Sequence, residues 1–290
     1  MRIAVTGANG FVGQALCPFL QNRLQADLVS LTRNPSTSAN KQLALSATDE
    51  ELIAGLEGVD CLIHLAARAH TRNSTPDDFE RDNLALTNRV ADLCVAAKIP
   101  RLIYLSSIKV NGNSTNGRPP FSADETPQPE DIYGQSKLAS EIAVKERLIN
   151  SQTYWVIIRP PLVYGDKNKG NLHSLETLID KRFPLPFDKI HNQRDLVSIE
   201  NLCELIALCA THPQAIHEIF LVSDGVARST KEIIQLLADR KHQSPYFFNV
   251  PDWVFTLIKK FSPQAIERLT GNLQVNIAKT KSLLGWSPRN

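Results

Sequence analysis

The chain has no marked excess of charge of either sign and no long apolar run, and each absence excludes a class of protein. Its 32 lysines and arginines balance 30 aspartates and glutamates, giving a net charge of +2, so no electrostatic footprint for nucleic acid or an anionic membrane is present. No apolar run approaches the ~20 residues that a membrane-spanning helix requires, and no charged-then-apolar leader is seen. We therefore expect a cytoplasmic protein with no nucleic-acid or membrane partner.

The chain also lacks paired cysteines. Cys17, Cys61, Cys94, Cys203 and Cys209 lie in apolar stretches without CxxC spacing. Zinc sites are recognised by CxxC-type spacings, and disulfides are typical of proteins from oxidising compartments. We therefore predict reduced, buried thiols and no metal site.

A glycine-rich turn follows the first predicted strand. Residues 2–6 are short and β-branched, residues 7–13 read Gly-Ala-Asn-Gly-Phe-Val-Gly, and an apolar helical pattern follows. Glycines allow a tight turn and a close approach to a pyrophosphate, while the helix start offers unpaired N–H groups. An ordinary βα turn is the alternative, but three glycines at three-residue spacing favour a dinucleotide cradle.

Tyr133 and Lys137 are four residues apart in the sequence Tyr-Gly-Gln-Ser-Lys, so on a helix they share one face. A nearby ammonium favours the phenolate of a tyrosine, whose ordinary pKa is about 10. A solvated Tyr–Lys pair is the alternative reading. Ser107, at the predicted carboxyl end of a strand, adds a hydroxyl where such sheets bind ligands, which favours acid–base chemistry coupled to hydride transfer.

Short apolar strands alternate with helical patterns along most of the 290 residues. The segments, strand and helix in turn, are 2–6, 11–22, 27–32, 49–57, 59–66, 77–97, 101–106, 132–149, 153–158, 200–210 and 218–223. Residues 61–65 and 155–158 are continuously apolar, as expected for strands covered on both faces. The pattern predicts an α/β fold, a doubly wound parallel sheet of the Rossmann type.

The regular alternation is interrupted after Gly165. We assign residues 1–165, with about 191–224, to the dinucleotide-binding domain. Residues 166–190 and 225–290, rich in proline and in short helical pieces, are predicted to form a smaller substrate-binding lid. The polar stretch 111–130 is predicted to be a loop near the site.

The sequence resembles the extended short-chain dehydrogenase/reductase family, in its nucleotide-sugar epimerase/dehydratase branch and close to UDP-glucose 4-epimerase-like members. The resemblance spans nearly the whole chain. It rests on TGANGFVG (6–13), HLAA (64–67), Asn83, YLSS (104–107), YGQSK (133–137), RPPLVYG (159–165), RDLVSIENL (194–202) and LLGW (283–286).

The resemblance implies catalysis by Ser107, Tyr133 and Lys137, with the nicotinamide supplying the hydride chemistry. The implied and predicted cofactor-binding residues are Gly7, Asn9, Gly10, Phe11, Val12, Gly13, Thr32, Arg33, Leu65, Ala66, Ala67, Asn83, Tyr133, Lys137, Pro160, Leu162 and Val163. The implied substrate-binding residues are Ser107, Tyr133, Asn171, Leu172, Leu185, Phe187 and Arg194. Arg194 suits a diphosphate because its planar fork donates paired hydrogen bonds, although it could instead pair with Asp195 or another carboxylate. The substrate implied is a nucleotide sugar, most commonly UDP-linked.

The end of the second strand bears on the choice between NAD(H) and NADP(H). NAD-binding members of the family place an aspartate there, but this chain has Thr32 followed by Arg33. A neutral residue with a neighbouring cation suits a 2′-phosphate, so the sequence favours NADP(H). Arg33 could instead stack on adenine or face solvent.

The residues after Ser107 bear on the reaction. Dehydratases of the branch carry an Asp-Glu pair there for acid–base elimination, whereas this chain has Ile108 and Lys109. Oxidoreduction at C4 remains, either as a 4-epimerase or as an NADPH-dependent 4-keto-sugar reductase for bacterial surface polysaccharides. A catalytically silent dinucleotide-binding protein is a third possibility.

Two further expectations concern assembly and location. The resemblance implies a homodimer formed through helices 77–97 and 132–149. The aromatic stretch 253–261, with its lysines, could instead mark a membrane-surface helix acting on lipid-linked sugars, although a core-facing helix is the expected role of such a stripe.

Overall fold

The computed structural model describes residues 1–33, 35, 41–68, 74–166, 168, 170–251 and 263–289. In these ranges the strands are β1 (Arg2–Thr6), β2 (Asp27–Thr32), β3 (Lys41–Ala44), β4 (Cys61–His64), β5 (Arg101–Leu105), β6 (Tyr154–Arg159), β7 (Leu162–Tyr164), β8 (Leu196–Ser198) and β9 (Glu218–Leu221).

The helices of the same ranges are α1 (Phe11–Leu24), α2 (Asp49–Gly55), α3 (Pro76–Phe79), α4 (Leu86–Ala96), α5 (Ile132–Leu148), α6 (Gly170–Asp180), α7 (Ile199–Thr211), α8 (Thr230–Asp239), α9 (Pro263–Thr270) and α10 (Ala278–Leu284). A π-helical segment, Glu80–Ala85, joins α3 to α4, and 3₁₀ turns cover Ile108–Val110 and Pro213–Ala215.

The central sheet has, within the described ranges, seven strands in the order β3-β2-β1-β4-β5-β6-β9. Every pairing in it is parallel, which confirms the predicted doubly wound α/β fold. The chain moves outward from β1 in both directions, so the carboxyl ends of β1 and β4 flank the crevice where such sheets bind ligands. The short strands β7 and β8 pair separately, in parallel.

Each face of the sheet is covered by its own hydrophobic cluster. Leu16 of α1, Leu205 of α7 and Ile158 of β6 belong to one cluster, and Leu52 of α2, Val90 of α4 and Val144 of α5 belong to the other. Burial on both faces explains why the strands read as nearly continuous apolar runs. The five cysteines are free and buried, as their apolar surroundings predicted.

Two elements differ from the sequence prediction. The edge strand β3 was not predicted, because its four residues, Lys-Gln-Leu-Ala, lack a strong β pattern and gain their conformation from pairing with β2. The predicted helix 77–97 is divided by the π-helical segment Glu80–Ala85, whose wider turn cannot be read from apolar spacing.

A third cluster of buried side chains joins α6, α8 and the strand-like stretch at Leu185. This cluster corresponds to the core of the predicted lid. Leu273, Leu284 and Trp286, however, pack into the cluster that covers the α1 face of the central sheet. The packing favours assigning the last described residues to the dinucleotide-binding domain, and the rest of the predicted division stays a prediction.

No helix in the described part of the chain is long and apolar enough to cross a membrane. The stretch 253–261, for which a membrane-surface role was considered, lies outside the described residues.

Candidate active site

The turn after β1 is built so that backbone can approach a ligand closely. Gly7 has φ +72°, and a Cβ there would lie 2.8 Å from the backbone nitrogen of Ala66. A Cβ on Gly13 would lie 2.3 Å from the carbonyl oxygen of Gly7. Neither position therefore accepts a side chain without moving backbone, and the turn fits the pyrophosphate of a dinucleotide at the start of α1.

A cavity of about 470 Å³ adjoins this turn. Eight of the predicted cofactor-binding residues line it: Gly7, Asn9, Gly10, Thr32, Arg33, Leu65, Ala66 and Ala67. The sequence reasoning missed seven others: Ala8, Leu31, Leu45, Arg68, Arg81, Asp82 and Leu86. Arg68 and Asp82 form an ion pair, with Nη2 2.6 Å from Oδ2. Ala8 lies within the sequence TGANGFVG (6–13), whereas the other six come from separate elements and are marked by no local sequence pattern.

Several predicted cofactor-binding residues lie outside this cavity's lining. Phe11 and Val12 pack against the cluster on the α1 face. Pro160 is buried and its carbonyl accepts from the backbone N–H of Ile108 at 2.9 Å, while Leu162 and Val163 lie in β7. Their predicted contacts with a cofactor stay predictions.

The three predicted catalytic residues meet at the carboxyl edge of the sheet. Ser107 follows β5 and is the N-cap of the 3₁₀ turn Ile108–Val110, where its Oγ accepts from Lys109 N at 3.2 Å. Tyr133 lies in the first turn of α5, beside Ser107, whose hydroxyl acts to lower the pKa of the phenol. A side chain at Gly134 would put its Cβ 2.6 Å from the carbonyl oxygen of Lys109, so this glycine allows α5 to approach the serine turn.

Lys137 lies one helical turn beyond Tyr133 and is buried, with 1% of its surface exposed. Its Nζ donates to the carbonyl oxygen of Leu105 at 2.7 Å and lies 4.2 Å from the ring centroid of Tyr104. The carbonyl and the ring face hold the ammonium in place without a direct ion pair to a carboxylate.

Burial changes the expected titration of this pair. The pKa of Tyr133 is raised to about 12 by loss of solvent, against the lowering effect of its hydrogen bond to Ser107. The pKa of Lys137 is lowered to about 7, again mainly by burial, with the charge of Glu141 opposing that shift. Burial therefore opposes the lowering of the Tyr133 pKa that the neighbouring lysine is expected to cause, and that expectation stays a prediction.

Asn83, predicted to bind cofactor, has a different set of contacts. It is 1% exposed in the π-helical segment. Its Oδ1 accepts from Arg68 N at 2.6 Å, and its Nδ2 donates to Ser136 Oγ at 2.9 Å. Asn83 thus joins the loop after β4 to the helix that carries Tyr133 and Lys137.

His64, the first residue of the HLAA sequence, is fully buried between two threonines. The hydroxyl of Thr87 donates to Asn83 O at 2.7 Å, so it must accept from Nε2–H of His64, 3.1 Å away. Nδ1 is then the acceptor for the hydroxyl of Thr6 at 2.6 Å, and that hydroxyl accepts from Ala66 N at 3.1 Å. A neutral imidazole of one tautomer therefore links the glycine turn to the π-helical segment.

The predicted substrate-binding residues are placed as follows. Leu172, Leu185 and Phe187 are buried in the lid cluster, so any contact with a ligand would use their backbone. The side chain of Asn171 lies outside the described residues. Nη1 of Arg194 donates to the carbonyl oxygen of Gly271 at 2.8 Å.

Arg194 does not pair with Asp195, one of the alternatives considered, since Oδ2 of that aspartate accepts from the backbone N–H of Val275 at 2.8 Å. The pKa of Arg194 is lowered to about 10 by burial, opposed by Glu267. The guanidinium is therefore charged at neutral pH. Its predicted contact with the substrate phosphates stays a prediction.

A glycine turn suited to a phosphate follows β1, and a serine, a tyrosine and a lysine lie at the same edge of the doubly wound sheet. Together these features define a nicotinamide-dependent oxidoreductase site.

The sequence profile of the NAD dependent epimerase/dehydratase family matches residues 3–223. The chain is also 38% identical to the UDP-glucose 4-epimerase of Vibrio cholerae over 301 aligned residues, which cover 99% of this chain and 90% of that protein. The chain therefore belongs to the NAD dependent epimerase/dehydratase family, as the sequence resemblance predicted.

Solved structures agree on the fold. A UDP-N-acetylglucosamine 4-epimerase from Bacillus cereus is 22% identical and superposes with a TM-score of 0.78 over 100% of this chain and 92% of its own. A UDP-glucuronic acid 4-epimerase from the same species, in complex with NAD, is 22% identical with a TM-score of 0.78, over 100% and 94% of the two chains.

The buried His64 predicts a pH dependence of stability. Burial, with Lys137 nearby, lowers its pKa from 6.5 to about 3. Between these pH values the unfolded chain binds a proton that the folded chain does not, so stability falls as pH falls, by up to about 1.4 kcal/mol per pH unit.

The substitution His64→Gln keeps a donor and an acceptor but removes the titration, so this part of the slope should disappear. Urea unfolding at pH 4.5, 5.5 and 6.5 measures it. His191→Gln, at an exposed position, should leave the slope unchanged, and equal slopes for wild type and His64→Gln would contradict the assignment.

Proposed function

We propose that this protein catalyses NAD(P)-dependent oxidoreduction at C4 of a nucleotide hexose, most simply a UDP-hexose, as a 4-epimerase. The observation that carries the proposal is the meeting of Ser107, at the start of the 3₁₀ turn after β5, with Tyr133, one helical turn from the buried Lys137, at the ligand-binding edge of the sheet. Similarity to the UDP-glucose 4-epimerase of Vibrio cholerae along nearly the whole chain supports it.

The three side chains divide the proton chemistry among them. Ser107 lies close enough to Tyr133 to influence the pKa of its phenol, so both hydroxyls are placed to meet one substrate oxygen. During oxidation Tyr133 accepts the proton of the C4 hydroxyl, and during reduction it returns that proton. Lys137, fixed on Leu105 O, stabilises the phenolate that this transfer requires.

Cofactor binding is proposed to use the glycine turn for the pyrophosphate and the cavity side of β2 and β4 for the adenosine half. A nicotinamide bound there would supply the hydride chemistry at the sugar carbon. Gly7 and Gly13 fit this role because their missing side chains leave the backbone accessible.

The position after Ser107 supports oxidoreduction over elimination. The side chain of Lys109 is hydrogen-bonded to Asn113, and its Nζ lies 3.4 Å from Oδ2 of Asp131, the N-cap of α5. A cation held in this way replaces the Asp-Glu pair that expels water in dehydratases. Arg194, with the backbone of Asn171, Leu172, Leu185 and Phe187, is proposed to bind the nucleotide diphosphate.

A second candidate is an NADPH-dependent reductase of a UDP-4-keto sugar. The observation that favours it is Arg33, which lines the cavity beside Thr32 at the end of β2, where a 2′-phosphate would meet a cation rather than a carboxylate. A cofactor released after each turnover drives net reduction, whereas an epimerase retains its nicotinamide through the cycle.

One experiment distinguishes the two reactions. Purified protein is denatured and the released nucleotide is identified, and native protein is offered a UDP-hexose without added cofactor or a UDP-4-keto sugar with NADPH. Interconversion at C4 without added cofactor is the expected result. Stoichiometric loss of NADPH would establish the reductase instead, and no reaction in either assay would indicate a catalytically silent protein.

The proton-transfer role of Tyr133 predicts the effect of removing its hydroxyl. Tyr133→Phe keeps the ring but removes the group that exchanges the proton, so we expect kcat to fall by about 10²-fold or more. Cofactor affinity, measured by fluorescence titration, should change little. Tyr154→Phe, at an exposed position, is the matched control; wild-type turnover by Tyr133→Phe would remove this residue from the mechanism.

Arg33 predicts the cofactor preference. Arg33→Asp should lower the affinity for NADP(H) relative to NAD(H), because a carboxylate repels a 2′-phosphate and accepts from a ribose hydroxyl. The ratio of the two dissociation constants measures the change. Arg23→Asp, on the last turn of α1, controls for the same change of charge elsewhere on the surface. An unchanged ratio for Arg33→Asp would show that Arg33 does not contact the adenosine ribose or its 2′-phosphate.

A further inference from the structure

We propose that Glu141, held by Arg159 and Ser106, is a positioning residue for the site of Ser107, Tyr133 and Lys137. Glu141 follows Lys137 by four residues on α5, as Lys137 follows Tyr133, so the three side chains share one helix face. The inference rests on the proposed function. It adds Glu141, a residue for which no contact with substrate or cofactor is predicted.

The ion pair between Glu141 and Arg159 is buried and bidentate. Arg159 Nη2 donates to Oε2 at 2.6 Å and Nε donates to Oε1 at 2.9 Å. Each side chain is 1% exposed. A buried ion pair seldom stabilises a fold more than apolar side chains would, so its presence beneath the site calls for another role.

The pair holds both ends of the 3₁₀ turn that presents Ser107. At the start of the turn, Ser106 Oγ donates to Glu141 Oε1 at 2.5 Å. At its end, Arg159 Nη1 donates to Oδ1 of Asn111, the C-cap residue, at 3.1 Å. The carboxylate and the guanidinium therefore fix the serine turn, from both sides, relative to α5 and the end of β6.

Glu141 also places a negative charge one turn from the Lys137 ammonium. The other groups facing that ammonium are the neutral His64 from β4, the Tyr104 ring from β5 and Tyr133 from α5, with the positive Arg159 beyond Glu141. Burial lowers the pKa of Lys137 and the charge of Glu141 opposes that lowering. Without the charge of Glu141, we expect the Lys137 ammonium to lose its proton at a lower pH. The change would affect oxidation and reduction of the substrate alike.

The test compares two substitutions of Glu141, one that removes its charge and one that shortens its side chain. Glu141→Gln keeps the side-chain shape and removes the charge, whereas Glu141→Asp keeps the charge and cannot span to both Ser106 and Arg159. One readout is the titration midpoint of the Lys137 ammonium, followed by NMR of protein labelled with ¹⁵N-lysine and assigned with Lys137→Met. The other readout is kcat for C4 interconversion as a function of pH.

We expect Glu141→Gln to lower the midpoint by about one pH unit, tenfold in the protonation equilibrium, and to move the matching limb of the rate profile in the same direction. Glu141→Asp should keep the midpoint and lower kcat. Glu146→Gln, exposed on the same helix, should change neither. A wild-type midpoint and wild-type kcat in Glu141→Gln would overturn the proposal.

The unpaired guanidinium left by Glu141→Gln could prevent folding. In that event Glu141→Gln/Arg159→Met, which removes both buried charges, takes its place with the same expected direction, since Glu141 is the charge that acts on the pKa of Lys137. The NMR readout needs no substrate. An inactive wild type with a shifted midpoint in the variant would therefore count against the proposed function and still support the role of Glu141.

Discussion

Burial of polar side chains from α5 against the central sheet is the constraint on which the rest of the site depends. Lys137 and Glu141 are nearly inaccessible to solvent, and a buried charge without a partner would cost several kcal/mol. Each charge is therefore satisfied by an element with a fixed position: Leu105 O at the end of β5 for the ammonium, and Arg159 at the end of β6 for the carboxylate. Satisfying these groups aligns the helix with the strand ends.

The same constraint connects the reactive groups with the cofactor side of the cleft. His64 is hydrogen-bonded to Thr6, just before the glycine turn, and to Thr87 in α4, while Asn83 joins the loop after β4 to Ser136 in α5. A shift of α5 would break the bond between Asn83 and Ser136, and a buried polar group that loses its partner costs free energy. The dinucleotide cradle and the acid–base residues are therefore held as one unit.

Desolvation is the second effect of this burial. It raises the pKa of Tyr133 and lowers that of Lys137, so burial shifts the equilibrium of each group toward its neutral form. The spacing of the two residues predicted that they would share a helix face but not that burial would raise the pKa of the phenol, because a sequence pattern does not show how much solvent surrounds a side chain. The glycine cradle was predictable for the opposite reason: its requirement for missing side chains is local to residues 7–13.

The sequence by itself determined the alternation of buried strands and helices, the glycine turn and the shared helix face of Tyr133 and Lys137, because each follows from the periodicity or conformational freedom of adjacent residues. The tertiary structure alone decided the edge strand β3, the π-helical segment around Asn83 and the cavity contributions of Arg68 and Arg81. It also decided the union of Ser106, Glu141 and Arg159, which come from three separate elements. Those features depend on contacts between residues that are far apart in the sequence, and no local sequence pattern indicates which residues will be in contact.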